Sequence, residues 1–316
     1  MSAVRRTPRP SCLALVLTLG LAGASGLAAG SIQVVRTADP ATRGLSDADF
    51  PRVQRLADNV YSYEQLRSAG AERFTTVSLF VVTAEGVLVA DGQGNAAETK
   101  RMLDEIATIT PQPVTHVVIC SDHGDHTGGN SAFPSTVTYF VHPASKAVLD
   151  RGRTPLPAST RVVSDREALA LGGTEIQILF LGRAHTGGDL HVYLPRERVL
   201  FMSEAYLNRI FPAMRSAYPS EWVGTIERAQ KMDVDIYVPG HGFVESPAIL
   251  KEELETYRRA MQQVIAAGTR LHAAGVPVEA AVARAGFGDL DGWTIRASQG
   301  PIAIRRVYLE LDGKLR

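Results

Sequence analysis

The sequence predicts an α/β protein built in layers of strand and helix, and three observations predict it. Short apolar runs rich in β-branched and aromatic residues alternate with longer stretches of helical spacing. No low-complexity linker divides the chain beyond about residue 31, so one domain accounts for it. The order also partly repeats, since an apolar strand twice runs into a glycine-rich loop carrying histidine, at 114–129 and again at 175–189.

Taken in order, Arg5, Arg6 and Arg9 precede an apolar run from Cys12 to about Ala29 that ends in small residues, Ala28-Ala29-Gly30. A charged start, apolar middle and small-residue exit describe a signal peptide over residues 1–29. They place the mature protein in the periplasm or outside the cell. No second long apolar run follows, so no membrane association is expected after cleavage. Residues 30–57 read as a polar N-terminal arm leading into a domain over 58–316. Val60–Tyr63 reads as a short strand. Thr76–Thr83 and Val87–Ala90 read as a hairpin turning at Glu85-Gly86. Ala96 to Ile109 carries Met102, Leu103 and Ile106 at helical spacing and stops before Pro111. Val114–Cys120 is a buried strand, Val137–Val141 another, and Pro143–Leu149 a short helix. Strands at Glu175–Leu181, Leu190–Leu194, Val199–Met202 and Ile236–Val238 follow, with a helix over Glu221–Met232. A long helix over Pro247–Ala267 sets Leu250, Leu254, Tyr257, Met261 and Val264 on its inner stripe.

Composition narrows the function classes. The 316 residues are 45% hydrophobic and 21% charged, with zero formal net charge. Removing the three N-terminal arginines leaves 30 basic against 33 acidic residues. That mild balance gives no electrostatic reason for nucleic acid or an anionic membrane as partner, and a small-molecule substrate is the expectation. Only Cys120 remains after the leader, so stability comes from packing, and no cysteine cluster offers a metal site.

The chemistry lies in the histidines. Of eight, His123, His126, His185 and His241 sit beside glycine in loops that directly follow an apolar strand. Strand ends converge at one edge of a sheet, and glycine lets the backbone approach a ligand. His123-Gly124-Asp125-His126 is the densest group. Imidazole nitrogen and carboxylate oxygen suit zinc, and also iron or manganese.

This loop resembles the His-x-His-x-Asp-His signature of the metallo-β-lactamase superfamily. The later pieces occur in matching order, with the His185 loop, an acid at Glu204 and Gly240-His241-Gly242. The resemblance spans about residues 55–245. It implies a four-layer αββα sandwich of two mixed sheets flanked by helices, with one or two zinc ions at one edge. It assigns His123 and His185 to a first metal position, and Asp125, His126 and His241 to a second. Two residues depart from the pattern. Ser121 stands where the first histidine belongs, as a weak ligand that leaves the first position with two strong ones. Glu204 stands where an aspartate usually bridges the ions, one methylene longer.

The implied activity is a metallo-hydrolase whose metal-bound hydroxide cleaves an ester, lactone or amide bond, β-lactams among them. Asp125 serves as both ligand and catalytic residue. Arg215, Tyr218 and Phe211, in the segment after Glu204, are the candidates for a substrate-pocket wall, Arg215 gripping a carboxylate or phosphate. The rival readings are an iron-dependent oxidoreductase of sulfur compounds and a metal-binding protein whose catalytic site has degraded.

Overall fold

A computed structural model describes residues 35–152, 156, 157 and 159–315. The segment read as a signal peptide lies outside them. In chain order the elements are β1 (Arg52–Ala57), β2 (Val60–Ala69), β3 (Glu72–Thr83), β4 (Gly86–Ala90), α1 (Ala96–Ile109), β5 (Val114–Ile119), α2 (Gly124–Thr127), β6 (Thr138–Val141), α3 (Pro143–Asp150), β7 (Arg161–Val162), β8 (Arg166–Leu171), β9 (Thr174–Leu179), β10 (His191–Leu194), β11 (Val199–Leu207), α4 (Pro219–Gln230), β12 (Ile236–His241), α5 (Pro247–Ala273), α6 (Val278–Arg284) and α7 (Arg296–Leu311). No helix among the described residues is long and apolar enough to cross a membrane.

The strands form a mixed, curled sheet in the order β7-β6-β5-β4-β3-β12-β11-β10-β9-β8, with β2 on β3 and β1 on β2. Parallel pairing joins β4 to β7 in turn and β11 to β12, whereas the rest of the sheet is antiparallel. The two runs of strands meet at β3 and β12, through the pairing of His241 with Thr76. A candidate ligand thus sits on the seam itself.

Alternation along β3 to β6 divides the core. Leu79, Val81, Leu88, Ala90, Val118 and Phe140 share one apolar cluster with Ile178, Val192, Leu200 and Val238 of the other run. Their neighbours Phe80, Val87, Val89, Val117, Ile119 and Val141 pack on Met102 and Ile106 of α1. Successive side chains of a strand point to opposite faces, so both faces of this half are covered. The stripe Leu250, Leu254, Tyr257, Met261 and Val264 of α5 is fully buried in the larger cluster.

Three strands escape a reading of the sequence: β1, the two-residue β7, and β8. β1 lies in the stretch expected as an arm and pairs antiparallel with β2, so the sheet starts at Arg52. Ahead of it Ala38 is buried and Arg36 pairs with Glu253 at 2.8 Å, which ties the stretch to α5. β8 pairs with β9. β1 and β8 are largely half-exposed and carry arginine or glutamate, so neither shows a strong apolar run.

His191 of β10 is fully buried in this core. Burial pushes its imidazole down to about 4, against the backbone of Met202, which acts the other way. The unfolded chain, with an ordinary imidazole, takes up its proton first. Stability is therefore full above the ordinary value of 6.5 and falls as pH drops toward about 4. The loss amounts to roughly 3 kcal/mol, at about 1.4 kcal/mol per pH unit. His191→Leu is expected to remove that share of acid sensitivity. Urea unfolding of both proteins near neutral pH and in mild acid checks it, and equal losses on acidification would refute it.

Candidate metal centre

The loop after β5 is shaped by one helical turn. His123 precedes it in extended conformation, its carbonyl accepts from the backbone N–H groups of His126 and Thr127, and Thr127 Oγ1 donates to it at 2.9 Å. The turn brings Asp125 and His126 to one side. Gly129 N donates to Gln93 O at 2.8 Å, which seats the loop on the segment leading into α1. The His185 loop is stiffened by Asp189, which accepts from Thr186 N and Thr186 Oγ1, both at 2.7 Å. Burial lifts the Asp189 carboxyl to about 7. Thr186 and Asp189 therefore hold the loop and not an imidazole ring.

Glu204 arrives from β11 and His241 from β12. Gly240 lies so close to β11 that a Cβ there would come within 2.4 Å of the Ser203 carbonyl carbon. Gly242 follows at φ +84°, where a Cβ would meet Asn208 O at 2.1 Å. The glycines flanking His241 thus let its strand approach the one bearing Glu204. Ser203 itself takes φ 48° at a register shift between β11 and β12.

Two groups of ligand atoms result, each with its atoms within 4.8 Å of one another. One is His123, His185 and Glu204, and the other is Asp125, His126, Glu204 and His241. Glu204 belongs to both. Its Oε2 lies 2.5 Å from His185 Nδ1 and 3.2 Å from His123 Nδ1, and its Oε1 lies 3.2 Å from His241 Nε2. His241 Nε2 is also 3.1 Å from Asp125 Oδ2 and 3.3 Å from His126 Nε2. Its Nδ1 lies 2.9 Å from the carbonyl oxygen of Thr75. A carbonyl only accepts, so Nδ1 carries a proton there and Nε2 is the nitrogen turned toward the group.

The donor set fits a cation. Imidazole nitrogens and carboxylate oxygens, nearly all buried, converge on one another. Two imidazole nitrogens 3.3 Å apart beside a shared carboxylate are what a divalent ion satisfies. The electrostatics agree. Burial alone would raise the Glu204 carboxyl, but His185 and His123 beside it hold it well below the usual carboxylate range. Burial opposes protonation of His123 and His241, yet the adjoining carboxylates lift both to about 9. Asp125 is likewise held below its ordinary value, against its own burial and Glu204, by His241 and His126.

Ser121 stands beside both groups. Its buried Oγ donates to Glu204 Oε2 at 2.7 Å. The hydroxyl orients the longer acid. Asp91 went unnoticed in the sequence. It follows β4 directly at φ 61°, fully buried, with Oδ2 3.0 Å from His126 Nδ1, and it accepts from Cys120 N and Ser203 Oγ. It fixes the His126 ring from behind. The only trace in the sequence is an acid at the end of an apolar strand, which many turns share. Among the described residues, Cys120 and Asp122 belong to neither group of ligand atoms.

A cavity of about 190 Å³ opens onto both groups. Its walls include Arg67, Phe74, Leu207, Ile210 and Arg215, and from the C-terminal region Ile295, Gln299 and Ile302. Arg67 Nε lies 3.6 Å from Asp125 Oδ2. Arg215 lines this cavity. Tyr218 lines a neighbouring cavity. Phe211 does not line either one. It is fully buried against Phe287, ring centroids 4.9 Å apart, because the larger core takes up an apolar ring that the pocket wall has no need of.

The model of the metallo-beta-lactamase superfamily matches residues 71–241. The metallo-beta-lactamase type 2 of Elizabethkingia meningoseptica is 22% identical over 257 residues, which cover 79% of this chain and 95% of that protein. The 2,4-dinitroanisole O-demethylase subunit alpha of Nocardioides sp. (strain JS1661) is 27% identical over 163 residues, 49% of either chain. Among solved structures, a metallo-beta-lactamase from Pontibacter korlensis superposes with a TM-score of 0.61 at 22% identity, covering 67% of this chain and 99% of that one.

Proposed function

The chain belongs to the metallo-beta-lactamase superfamily, and from that premise we propose that it is an exported hydrolase of small molecules. It cleaves an ester, lactone or amide bond, with zinc at the two ligand groups. The observation that carries this reading is Glu204, whose two oxygens face one group each. His123, His185 and Glu204 would hold one ion, and Asp125, His126, His241 and Glu204 the other. When bound, zinc makes water nucleophilic near neutral pH and polarises the scissile carbonyl.

The chain's own residues do the rest. Asp125 lines the cavity beside His241, where its carboxylate orients the attacking water and relays the proton to the leaving atom. His126 and His241 keep fixed orientations through Asp91 and the Thr75 carbonyl. Phe74, Leu207 and Ile210 exclude water from the inner wall. The core pattern, with β3 to β6 sharing one cluster with the other strand run and another with α1, supports two stacked sheets with helices outside. The arginine-led apolar N-terminus supports a leader over residues 1–29 that is removed on export to the periplasm or beyond.

The test is metal analysis of the purified full chain, followed by a panel of esters, lactones and β-lactams. Turnover is expected to follow zinc content, to vanish on chelation and to return with added zinc. A zinc-replete protein that cleaves nothing on the panel, or an iron-loaded one that consumes oxygen, would end the hydrolase reading.

A further inference from the structure

A second cavity of about 530 Å³ adjoins the first and shares His123 and Arg215 with it as walls. Helix α7 borders both. Ile295, just before the helix, together with Gln299 and Ile302 faces the cavity over the ligand groups, and Arg306 faces the second one. The spacing 295, 299, 302, 306 follows one face of a helix, so a single stripe walls both cavities. α7 lies outside residues 71–241, so this wall is not part of what the family match covers.

The charges differ along that wall. The part nearest the ligand groups is apolar, with Ile295 and Ile302 opposite Leu207 and Ile210. The far part carries two guanidinium groups. Arg215 is exposed, and Asp122 on the same cavity feels its charge. Arg306 is half-buried, and its Nε donates to the carbonyl of Ala217, which fixes the direction of the fork. It also lies over the Tyr218 ring at 5.6 Å. Burial raises the carboxyl of Asp122, the acid on this cavity, which weakens its competition for the two guanidinium groups.

We propose that the substrate is an elongated acid, its scissile carbonyl at the ligand groups, an apolar stretch along Ile295 and Ile302, and a carboxylate received by Arg215 and Arg306. Guanidinium suits this role because its planar fork matches a carboxylate with two parallel hydrogen bonds. Half-burial of Arg306 strengthens the contact by limiting screening. This rests on the hydrolase reading for the reaction, but not for the binding.

The experiment is titration calorimetry on the zinc-loaded full chain. The probes are linear dicarboxylates from succinate to sebacate, each compared with the monocarboxylate of equal length. Both kinds offer one carboxylate to the zinc, so any excess affinity belongs to the far end. One chain length is expected to bind at least about tenfold tighter than its monocarboxylate, the size of one charge-assisted pair. Arg215→Gln should abolish that preference without moving the melting temperature, because Arg215 is exposed. Ile302→Trp should weaken the long diacids more than acetate. Equal binding of mono- and dicarboxylates at every length, or a preference that survives Arg215→Gln, overturns the proposal. A protein that shows the preference yet cleaves no ester, lactone or amide fails as a hydrolase while its acid-binding trench stands.

Discussion

Glu204→Ala is expected to empty both metal positions at once. The first group would keep only His123 and His185, and the second would lose the oxygen that lies 3.2 Å from His241. Several kcal/mol of transition-state stabilisation would go with the ions, a fall in kcat/KM of about 10³-fold or more. Metal counting by plasma mass spectrometry and steady-state rates check it, and a variant that keeps two ions and its rate would remove Glu204 from the centre. Glu204→Asp sharpens the point. Aspartate is one methylene shorter, so its carboxylate withdraws from His185 and from the Ser121 hydroxyl that now orients it at 2.7 Å. Ser121→His alone sets an imidazole where the Glu204 carboxylate reaches. The pair Ser121→His with Glu204→Asp should restore metal that either single change loses. The two positions are coupled because they fill one space.

His241→Ala is expected to be as damaging, by another route. His241 Nε2 is the nitrogen closest to Asp125, and it also faces Glu204 and His126. Without it the second group keeps one imidazole and two carboxylates, and Asp125 loses the neighbour that holds it ionised. Metal retention at that position and turnover should both fall by about 10³-fold or more, as loss of the ion's Lewis acidity requires. The backbone pairing of residue 241 with Thr76 does not need the side chain, so the melting curve should stay cooperative. Full zinc content with an unchanged rate would sink this assignment.

Much of this was legible in the chain, for local reasons. α1 runs from Ala96 to Ile109 as its spacing predicts, because Asn95 caps one end, accepting from Glu98 N, and Pro111 follows the other. The ligand-bearing loops were legible because each follows a buried strand and contains glycine. β1 and β8 were not, since a half-exposed strand with charged residues has no strong period to detect.

What the sequence determined by itself is the identity and chemical type of the candidate donors, and for most of them the strand end beside which they lie. Ligand identity is a property of single residues, and strand ends gather at one sheet edge whatever the side chains do elsewhere. The tertiary structure alone decided the partners. Ser121 turns to Glu204, Asp91 backs His126, Phe211 leaves the pocket for the core, and α7 returns from the far end of the chain to wall the cavity. Each of these depends on residues tens to hundreds of positions apart, brought together by the curl of the sheet. A side chain's local pattern holds no information about what will stand opposite it.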